Sequence, residues 1–282
     1  MPTLMGAAER IISPVGRPAA ALLGSARRTR EGLRAPTNRR DFLLSLPAHG
    51  EVLEIGPFDA PQVQGDRVAY FDVMDREGLQ RRAAQEKRNP PGCPHIDYVS
   101  PHGDLSIVDR RFDAVFSSHV IEHQHDLVRH LEDVHRLLRP GGAYYVIAPD
   151  KRYMFDHYLP ESRLEEVVFA HERDAQPNVE RALWRHYHDL AHNRPFRHWI
   201  GLHGEPETDP RNADAHAEAD IAATRAGEYR DVHCWHFTPA SFLSIMRDLA
   251  AAGAIPLKPS RVHDTMFGEP EFFAVLGSAD AS

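Results

Sequence analysis

Between residues 51 and 151 acidic, glycine, serine and proline residues stand in an ordered series at the ends of strand-like runs. The segments that contain them are residues 51–56, 68–72, 103–105, 112–117 and 138–149. Stretches of helical length separate them, so the pattern predicts alternating strands and helices around a mostly parallel sheet. Ligands of such open sheets bind outside the carboxyl ends of the strands. The polar residues that end these runs are therefore candidate ligand contacts.

The order and spacing of these segments resemble the class I S-adenosylmethionine-dependent methyltransferases, and within them the small-molecule group called type 11. The resemblance covers residues 45–150 and, more loosely, residues 238–277. It implies a Rossmann-like α/β sheet, mostly parallel, closed by an antiparallel β-hairpin near residues 255–262 and 271–276. It also implies S-adenosylmethionine as the methyl donor and S-adenosylhomocysteine as the product.

The resemblance assigns a cofactor role to the strand ends. The family has three glycines in its first loop, whereas here Phe58 and Ala60 replace the second and third and only Gly56 remains. Because glycine permits a positive φ and a close backbone approach to a ligand, Phe58 predicts a wider or differently shaped loop. By resemblance, Asp72 accepts hydrogen bonds from the two ribose hydroxyls and Asp104 from the adenine amine. The residues expected to bind the cofactor are Glu54, Gly56, Pro57, Phe58, Asp72, Val73, Gly103, Asp104, Leu105 and Ser117.

The chain is expected to divide into four segments. Residues 1–44 form a basic N-terminal helical arm, 45–150 the cofactor-binding half, 151–237 an inserted acceptor-binding lid, and 238–282 a C-terminal helix with the closing hairpin. The insertion follows the fifth strand and far exceeds the roughly 2 to 6 residues of an ordinary connection. It holds all three tryptophans and ten of the 19 histidines, which suits a lid that shapes the acceptor pocket and excludes water. A helical cap with its own small core is the alternative.

Two helices can be read in more detail. In residues 126–138 the periodicity predicts an inward face, with His130, Glu132, Asp133 and Arg136 turned outward. Thr238 and Pro239 read as the N-cap and first residue of a later helix.

Three histidines are the candidate catalytic residues. A sulfonium methyl group moves by in-line displacement, so the enzyme must position the acceptor atom. A hydroxyl or ammonium acceptor must also lose a proton, and histidine is the side chain suited to take it near neutral pH. His119 follows the fourth strand, and His233 and His236 precede the C-terminal helix. His123 belongs to a Glu-His pair typical of the type 11 group and is expected to be structural.

The histidines of the insert raise the question of a metal site. His188 and His192 lie four residues apart on a predicted helix, and Asp189, His198, His203, His233 or His236 would complete a set of ligands. These spacings match no fixed zinc signature, so the sequence predicts no metal ligand and leaves open whether the insert binds a divalent cation.

Composition narrows the partners and the location. A net charge of −8 argues against a nucleic-acid backbone as partner, since phosphate binding uses clustered lysine and arginine. No apolar stretch approaches the length of a membrane span. Two cysteines, Cys93 and Cys234, form no disulfide framework and suit a reducing cytoplasm. The oligomeric state stays open, with a homodimer as one alternative.

These observations predict a methyltransferase that acts on a polar small molecule, by O-methylation of a sugar or specialised metabolite. Segments 149–156 and 231–239 weakly resemble methyltransferases of polysaccharide synthesis, which favours a sugar. N- or S-methylation of an amino-acid-like metabolite remains open. So do two further functions, a non-catalytic binding module that keeps the fold and a metal-dependent hydrolase built on the histidine-rich insert.

Overall fold

The computed structural model describes residues 36–206 and 212–278. Within them the chain forms a seven-stranded sheet of order β3-β2-β1-β4-β5-β7-β6. The strands are β1 (Val52–Ile55), β2 (Val68–Asp72), β3 (Tyr98–Val99), β4 (Phe112–Ser118), β5 (Leu138–Pro149), β6 (Leu257–His263) and β7 (Glu271–Ser278). Strands β1 to β5 pair in parallel, whereas β7 is antiparallel to both β5 and β6. The predicted Rossmann-like sheet with a closing hairpin is confirmed.

Helices flank this sheet and form the insertion. They are α1 (Arg39–Leu43), α2 (Arg76–Gln85), α3 (Leu127–Leu137), α4 (Leu164–Glu172), α5 (Gln176–His188), α6 (Pro195–Trp199), α7 (Ala213–Arg225) and α8 (Pro239–Ala251). No helix among the described residues is long and apolar enough to cross a membrane. Most of the basic arm predicted for residues 1–44 lies outside the described residues, which include only 36–44 of it.

The central strands are apolar on both faces because helices cover both sides of a parallel sheet. Leu53 in β1 and Val115 and Phe116 in β4 are fully buried. The register aligns Ile55 with Phe71 of β2 and with Ser117 of β4. The carboxyl ends of three neighbouring strands are therefore level, and the residues that follow them form one edge.

Helix α3 differs from its predicted orientation at two positions. The periodicity places His130 and Asp133 towards solvent, but both are buried. His130 Nε2 lies 3.0 Å from the Tyr144 hydroxyl, and Asp133 accepts a hydrogen bond from Arg129 at 2.9 Å. Hydrogen bonding satisfies these polar groups, so the buried face of the helix is wider than its apolar residues alone indicate.

Helix α8 begins as predicted. Thr238 is its N-cap, Pro239 occupies the first turn, and the side chains of Thr238 and Ser241 form a capping box. The third predicted strand is expected to end at residues 103–105, but β3 ends earlier, at Val99, and Asp104 caps a short 3-10 turn. The side chain of Asp104 accepts hydrogen bonds from the amide and the hydroxyl of Ser106, and these local bonds favour the turn.

The insertion packs on the same core as the sheet. Val167 in α4 and Val179 and Leu183 in α5 are buried in one cluster with Leu131 of α3. Trp235, which is 1% exposed, belongs to that cluster too. The insertion is thus anchored to the methyltransferase-like sheet and its helices by apolar packing.

Candidate active site

A cavity of about 2060 Å³ lies at the carboxyl edge of β1, β2 and β4. Residues of the insertion, including Asn193, Phe196 and Arg197, also line it. The structure brings most of the sequence-predicted residues together here. Those that line the cavity are Glu54, Gly56, Pro57, Phe58, Asp72, Val73, Gly103, Asp104, Leu105, His119 and His233.

Glu54 shapes the loop that follows β1. Its side chain is buried, and its two carboxylate oxygens accept hydrogen bonds from the backbone amides of Gln62 at 2.8 Å and Val63 at 2.9 Å. Burial raises the pKa of Glu54 to about 8, although these hydrogen bonds act to lower it. The carboxyl group therefore holds the loop against the sheet.

The loop itself turns at two residues with positive φ. Gly56 has φ of +70°, and a Cβ atom built there would lie 2.7 Å from Val120 Cγ2. Phe58 has φ of +45°, and its ring packs against the apolar cluster around Leu79. The guanidinium of Arg88 lies 4.7 Å from the centre of that ring. The packing of its ring on α2 stabilises Phe58 in a left-handed backbone conformation. The loop therefore keeps its turn at a position where the family resembled has glycine.

Asp72 ends β2 at the wall of the cavity. It is 7% exposed, and its Oδ1 accepts a hydrogen bond from the Val73 amide at 2.7 Å. Burial raises the pKa of Asp72 to about 6. A carboxylate at a cavity wall offers two acceptor oxygens, which is what a vicinal diol requires. Asp72, beside the loop that turns at Gly56, thus fits the ribose of an adenosine-containing cofactor.

Asp104 also lines the cavity and is exposed. Its oxygens accept hydrogen bonds from the backbone amide of Ser106 at 2.9 Å and from the Ser106 hydroxyl at 2.8 Å. The hydrogen bonds from Ser106 lower the pKa of Asp104. The carboxylate is therefore ionised and held in one orientation at this edge of the sheet.

Two of the predicted site residues lie outside the cavity lining. Ser117 is fully buried, and its hydroxyl lies 2.6 Å from that of Tyr144. Successive side chains of a strand point to opposite faces, so Ser118 lines the cavity in its place. His236 is buried beside Ser162, whose hydroxyl accepts a hydrogen bond from the His236 amide, and burial lowers the pKa of His236 to about 4.

His119 has a backbone φ of +55° and enters a chain of charged groups. Its Nε2 lies 2.9 Å from Glu271 Oε2, and the other oxygen of Glu271 accepts a hydrogen bond from Arg39 Nε at 2.9 Å. Burial acts to raise the pKa of Glu271, but Arg39 and His119 outweigh it and hold that pKa at about 2. Arg39 of α1 thus pairs with an ionised carboxylate from β7 at the cavity.

His233 reaches the cavity from the segment that precedes α8. Its Nδ1 lies 2.5 Å from Asp156 Oδ2. Burial acts to raise the pKa of Asp156, but the charge and hydrogen bond of His233 outweigh it and lower that pKa. An ionised Asp156 accepts the Nδ1 proton, so loss of a proton from the charged ring would leave the free lone pair on Nε2 of His233.

Glu122 lies between these two histidines, and sequence reasoning does not identify it as a site residue. It is fully buried, with Oε1 3.6 Å from His119 Nδ1 and 3.8 Å from His233 Nε2. Asp156, Asp231 and Glu271, which contact the surrounding histidines, are missed as well. The Glu122-His123 pair is the one local signal, and by resemblance it indicates a structural role.

The two histidines that the sequence suggests as a metal-binding pair separate in the structure. Helix α5 ends at His188, so His192 lies beyond it and not on the same helical face. His188 Nε2 lies 2.7 Å from Asp214, and His192 Nε2 lies 2.8 Å from the carbonyl oxygen of Leu202. The pair therefore does not converge on one point.

The chain is similar to known methyltransferases in both sequence and structure. A sequence model described as a methyltransferase domain matches residues 62–146. A search of curated proteins found no match. Among solved structures, the chain is similar to the CcbJ methyltransferase from Streptomyces caelestis at 15% identity, covering 84% of this chain and 92% of that one with a TM-score of 0.43. A possible histamine N-methyltransferase from Thermotoga maritima matches at 14% identity, covering 84% of each chain with a TM-score of 0.42.

Proposed function

We propose that this chain, which is an S-adenosylmethionine-dependent methyltransferase, transfers the methyl group to a hydroxyl of a polar small molecule. The acceptor class that we propose is a sugar or a specialised metabolite. The observation that carries the proposal is one continuous cavity lined by Asp72 and by the imidazoles of His119 and His233. A donor site and a group that can take up a proton therefore share a single space.

One part of the cavity fits the cofactor. When bound, S-adenosylmethionine supplies an electrophilic methyl group on a sulfonium centre. Asp72 would accept hydrogen bonds from the ribose hydroxyls, and Asp104 would accept one from the adenine amine. Glycine at position 56 lets the loop pass Val120, whose Cγ2 an added Cβ would overlap, and Glu54 keeps the loop in place.

The histidines of the cavity support a hydroxyl acceptor. Asp156 holds His233 in the tautomer whose Nε2 is free, and Glu271 contacts the outer nitrogen of His119. The second ring nitrogen of each histidine faces Glu122. A thioether acceptor has no proton to lose, so it would make no use of this arrangement. An ammonium acceptor must lose a proton as well, so N-methylation of an amino-acid-like metabolite is the second candidate.

The insertion would act as the acceptor lid. Its residues Asn193 to Arg197 line the cavity, and Trp199 stacks on Tyr153 with ring centres 3.8 Å apart. The Trp199 indole also donates a hydrogen bond to the Glu269 carbonyl oxygen at 2.9 Å. These contacts tie the lid to the loop before β7, which supports positioning of an acceptor and exclusion of water. Cytoplasmic location and the absence of a nucleic-acid partner remain predictions from composition.

The decisive experiment incubates the protein with S-adenosylmethionine that carries a labelled methyl group and with fractionated metabolite pools. Mass analysis of the labelled product then identifies the acceptor atom. We expect a new methoxy group on a polyhydroxylated molecule. A label on nitrogen or sulfur would replace the O-methylation proposal by N- or S-methylation, and calorimetry that detects no cofactor binding would contradict the proposed donor site.

A further inference from the structure

Three imidazoles surround one carboxylate beside the cavity. Glu122 Oε1 lies 3.6 Å from His119 Nδ1, 3.6 Å from His123 Nε2 and 3.8 Å from His233 Nε2. Glu122 is fully buried, and neither of its carboxylate oxygens accepts a hydrogen bond from the residues that the structure describes. Burial of a carboxylate without hydrogen bonds is unfavourable unless a positive charge completes its surroundings.

The outer nitrogen of each imidazole contacts a second carboxylate. These contacts join His119 Nε2 to Glu271 Oε2 at 2.9 Å, His123 Nδ1 to Asp231 Oδ1 at 2.9 Å and His233 Nδ1 to Asp156 Oδ2 at 2.5 Å. At His119 and His233 the carboxylate accepts the N–H of the neutral imidazole, so the inner nitrogen keeps its lone pair for another partner. The contact of His123 with Asp231 is an ion pair without hydrogen-bond geometry. Carboxylate–histidine pairs of this kind orient the imidazole ligands of metal ions.

The distances around Glu122 fit ligands that share one ion. Separations of 3.6 to 3.8 Å exceed a hydrogen bond, whereas two ligands at about 2.1 Å from one tetrahedral ion lie roughly 3.4 Å apart. The donor atoms of Glu122, His123 and His233 all lie within 4.8 Å of one another. We infer that Glu122, His123 and His233, with His119 beside them, form a binding site for a divalent transition-metal ion.

The donor set indicates the kind of ion. Imidazole nitrogens with one carboxylate oxygen suit zinc, manganese, cobalt or iron, whereas magnesium and calcium prefer shells of oxygen. The charges agree, because four carboxylates meet here and Arg39 and Arg82 pair with only two of them, Glu271 and Asp231. Without an ion, burial acts to lower the pKa of His123, but the charges of Asp231 and Glu122 outweigh it and raise that pKa to about 9, so a bound cation would take the place of that proton.

A second group of histidines lies in the insertion and serves as a comparison. His157, His198 and His203 are close enough to share an ion. However, His198 Nδ1 already lies 3.1 Å from His203 Nδ1, and its Nε2 lies 2.8 Å from the carbonyl oxygen of His192. The group also contains no carboxylate, so its local contacts account for its arrangement.

The position of the Glu122 site gives the ion a role, which rests on the proposed O-methylation. His119, His123 and His233 line the cavity, so a hydroxyl acceptor has access to the ion. An ion there would lower the pKa of that hydroxyl. The new carbon–oxygen bond then forms as the sulfonium carbon–sulfur bond breaks, S-adenosylhomocysteine leaves, and the hydroxyl proton passes to water. With an ion bound, the histidines would act as its ligands, and the ion would promote proton loss in place of direct proton uptake by His119 or His233.

The test measures metal binding without acceptor or methyl donor. Full-length protein is stripped with a chelator, incubated with Co²⁺, Mn²⁺ or Zn²⁺, and analysed by calorimetry, elemental stoichiometry and the visible absorption of Co²⁺. We expect one ion per chain, loss of binding in Glu122→Gln and His233→Ala, and unchanged binding in His203→Ala. Asp156→Asn should weaken the affinity by about 10- to 100-fold, because Asp156 only orients His233.

Cofactor binding at Asp72 shows whether each variant is folded. A wild-type protein that binds cofactor but no ion would overturn the inference, as would equal ion binding in folded Glu122→Gln or loss of binding in His203→Ala. If Glu122→Gln does not fold, the ion affinity of Asp156→Asn decides, and an affinity equal to that of the wild type in the folded variant would overturn the inference. The proposed O-methylation can fail independently of the metal site. It fails if Glu122 binds an ion but the methyl group is found on nitrogen or sulfur.

Discussion

The Nε2 atom of His130 lies 3.0 Å from the hydroxyl of Tyr144 inside the protein core. Burial lowers the pKa of His130 to about 4 from an ordinary value of 6.5. The unfolded chain therefore binds a proton near pH 6.5, while the folded chain resists it down to about pH 4. The stability that this histidine contributes is fully present above pH 6.5 and falls as the pH drops towards 4.

We expect this one histidine to contribute a loss of about 3 kcal/mol in the free energy of unfolding between pH 6.5 and 4. His130→Gln should lose stability less steeply over that range, because glutamine does not titrate. Denaturant titrations at several pH values measure the slope. The exposed His95 provides the control, since His95→Gln should keep the wild-type slope. Equal slopes in wild type and His130→Gln would show that His130 binds a proton equally well in the folded and the unfolded chain, which would contradict the prediction.

Removal of the Asp72 carboxylate should weaken cofactor binding. Asp72→Ala leaves the ribose hydroxyls without their acceptor, so affinity for S-adenosylhomocysteine should fall by about 1 to 3 kcal/mol. Isothermal titration calorimetry provides the measurement. Asp66, which is exposed and does not line the cavity, is the matched control, and Asp66→Ala should bind as the wild type does. Unchanged affinity in Asp72→Ala would remove the residue from the cofactor site.

Cofactor affinity should also depend on pH through Asp72. Its pKa in the free protein is about 6, and binding of the ribose hydroxyls favours the ionised carboxylate. The affinity should thus be constant above pH 6 and fall by up to about tenfold per pH unit below it. Asp72→Asn should bind more weakly with a flat profile. A wild-type profile as flat as that of Asp72→Asn would show that the cofactor does not distinguish the two protonation states.

Gly56 and Gly253 allow backbone strain and steric overlap to be separated. Both have a φ near +70°, but an added Cβ meets Val120 only at Gly56. Each substitution to alanine should cost roughly 1 kcal/mol of stability through strain. Gly56→Ala should in addition lose cofactor affinity, because the loop must move. Calorimetry and thermal unfolding of the two variants test this, and similar cofactor affinities in both would contradict it.

Two of the three tryptophans of the insertion, Trp199 and Trp235, should differ in effect. Trp235 is buried in the main core, so Trp235→Ala should destabilise the protein by about 3 to 5 kcal/mol. Trp199 stacks on Tyr153 and bonds to the loop before β7, so Trp199→Ala should lower kcat/KM for the acceptor by roughly 10- to 100-fold. Its cofactor affinity should stay unchanged. If Trp199→Ala abolishes cofactor binding in a folded protein, the residue belongs to the donor site instead.

Much of the fold could be predicted because its signals are local. The apolar runs of β1, β2, β4 and β5 end in polar residues or proline, and Thr238-Pro239 marks the start of α8. The errors occur where a distant partner decides the outcome. His130 is buried because Tyr144, from a neighbouring strand, satisfies its ring nitrogen. No periodicity within α3 contains that information.

The candidate site was only partly predictable for the same reason. Asp72 and Gly56 stand at strand ends that the sequence marks, and both line the cavity. The histidine centre instead depends on Glu122, Asp156, Asp231 and Glu271, which come from four separate parts of the chain. Their convergence follows from the sheet order and from the path of the insertion. A motif search for closely spaced ligands would therefore pass over it.

The size of the cavity has a practical consequence for inhibition. At about 2060 Å³ it exceeds the roughly 300 to 1,000 Å³ of ordinary ligand pockets, and Asp72 and His233 line the same space. A single compound that joins an adenosine unit to a polyol by a short linker would contact both at once. The second contact is then intramolecular, which can raise avidity by about 100- to 10,000-fold over either half alone. The undivided chamber thus makes this enzyme a candidate for bisubstrate inhibitors.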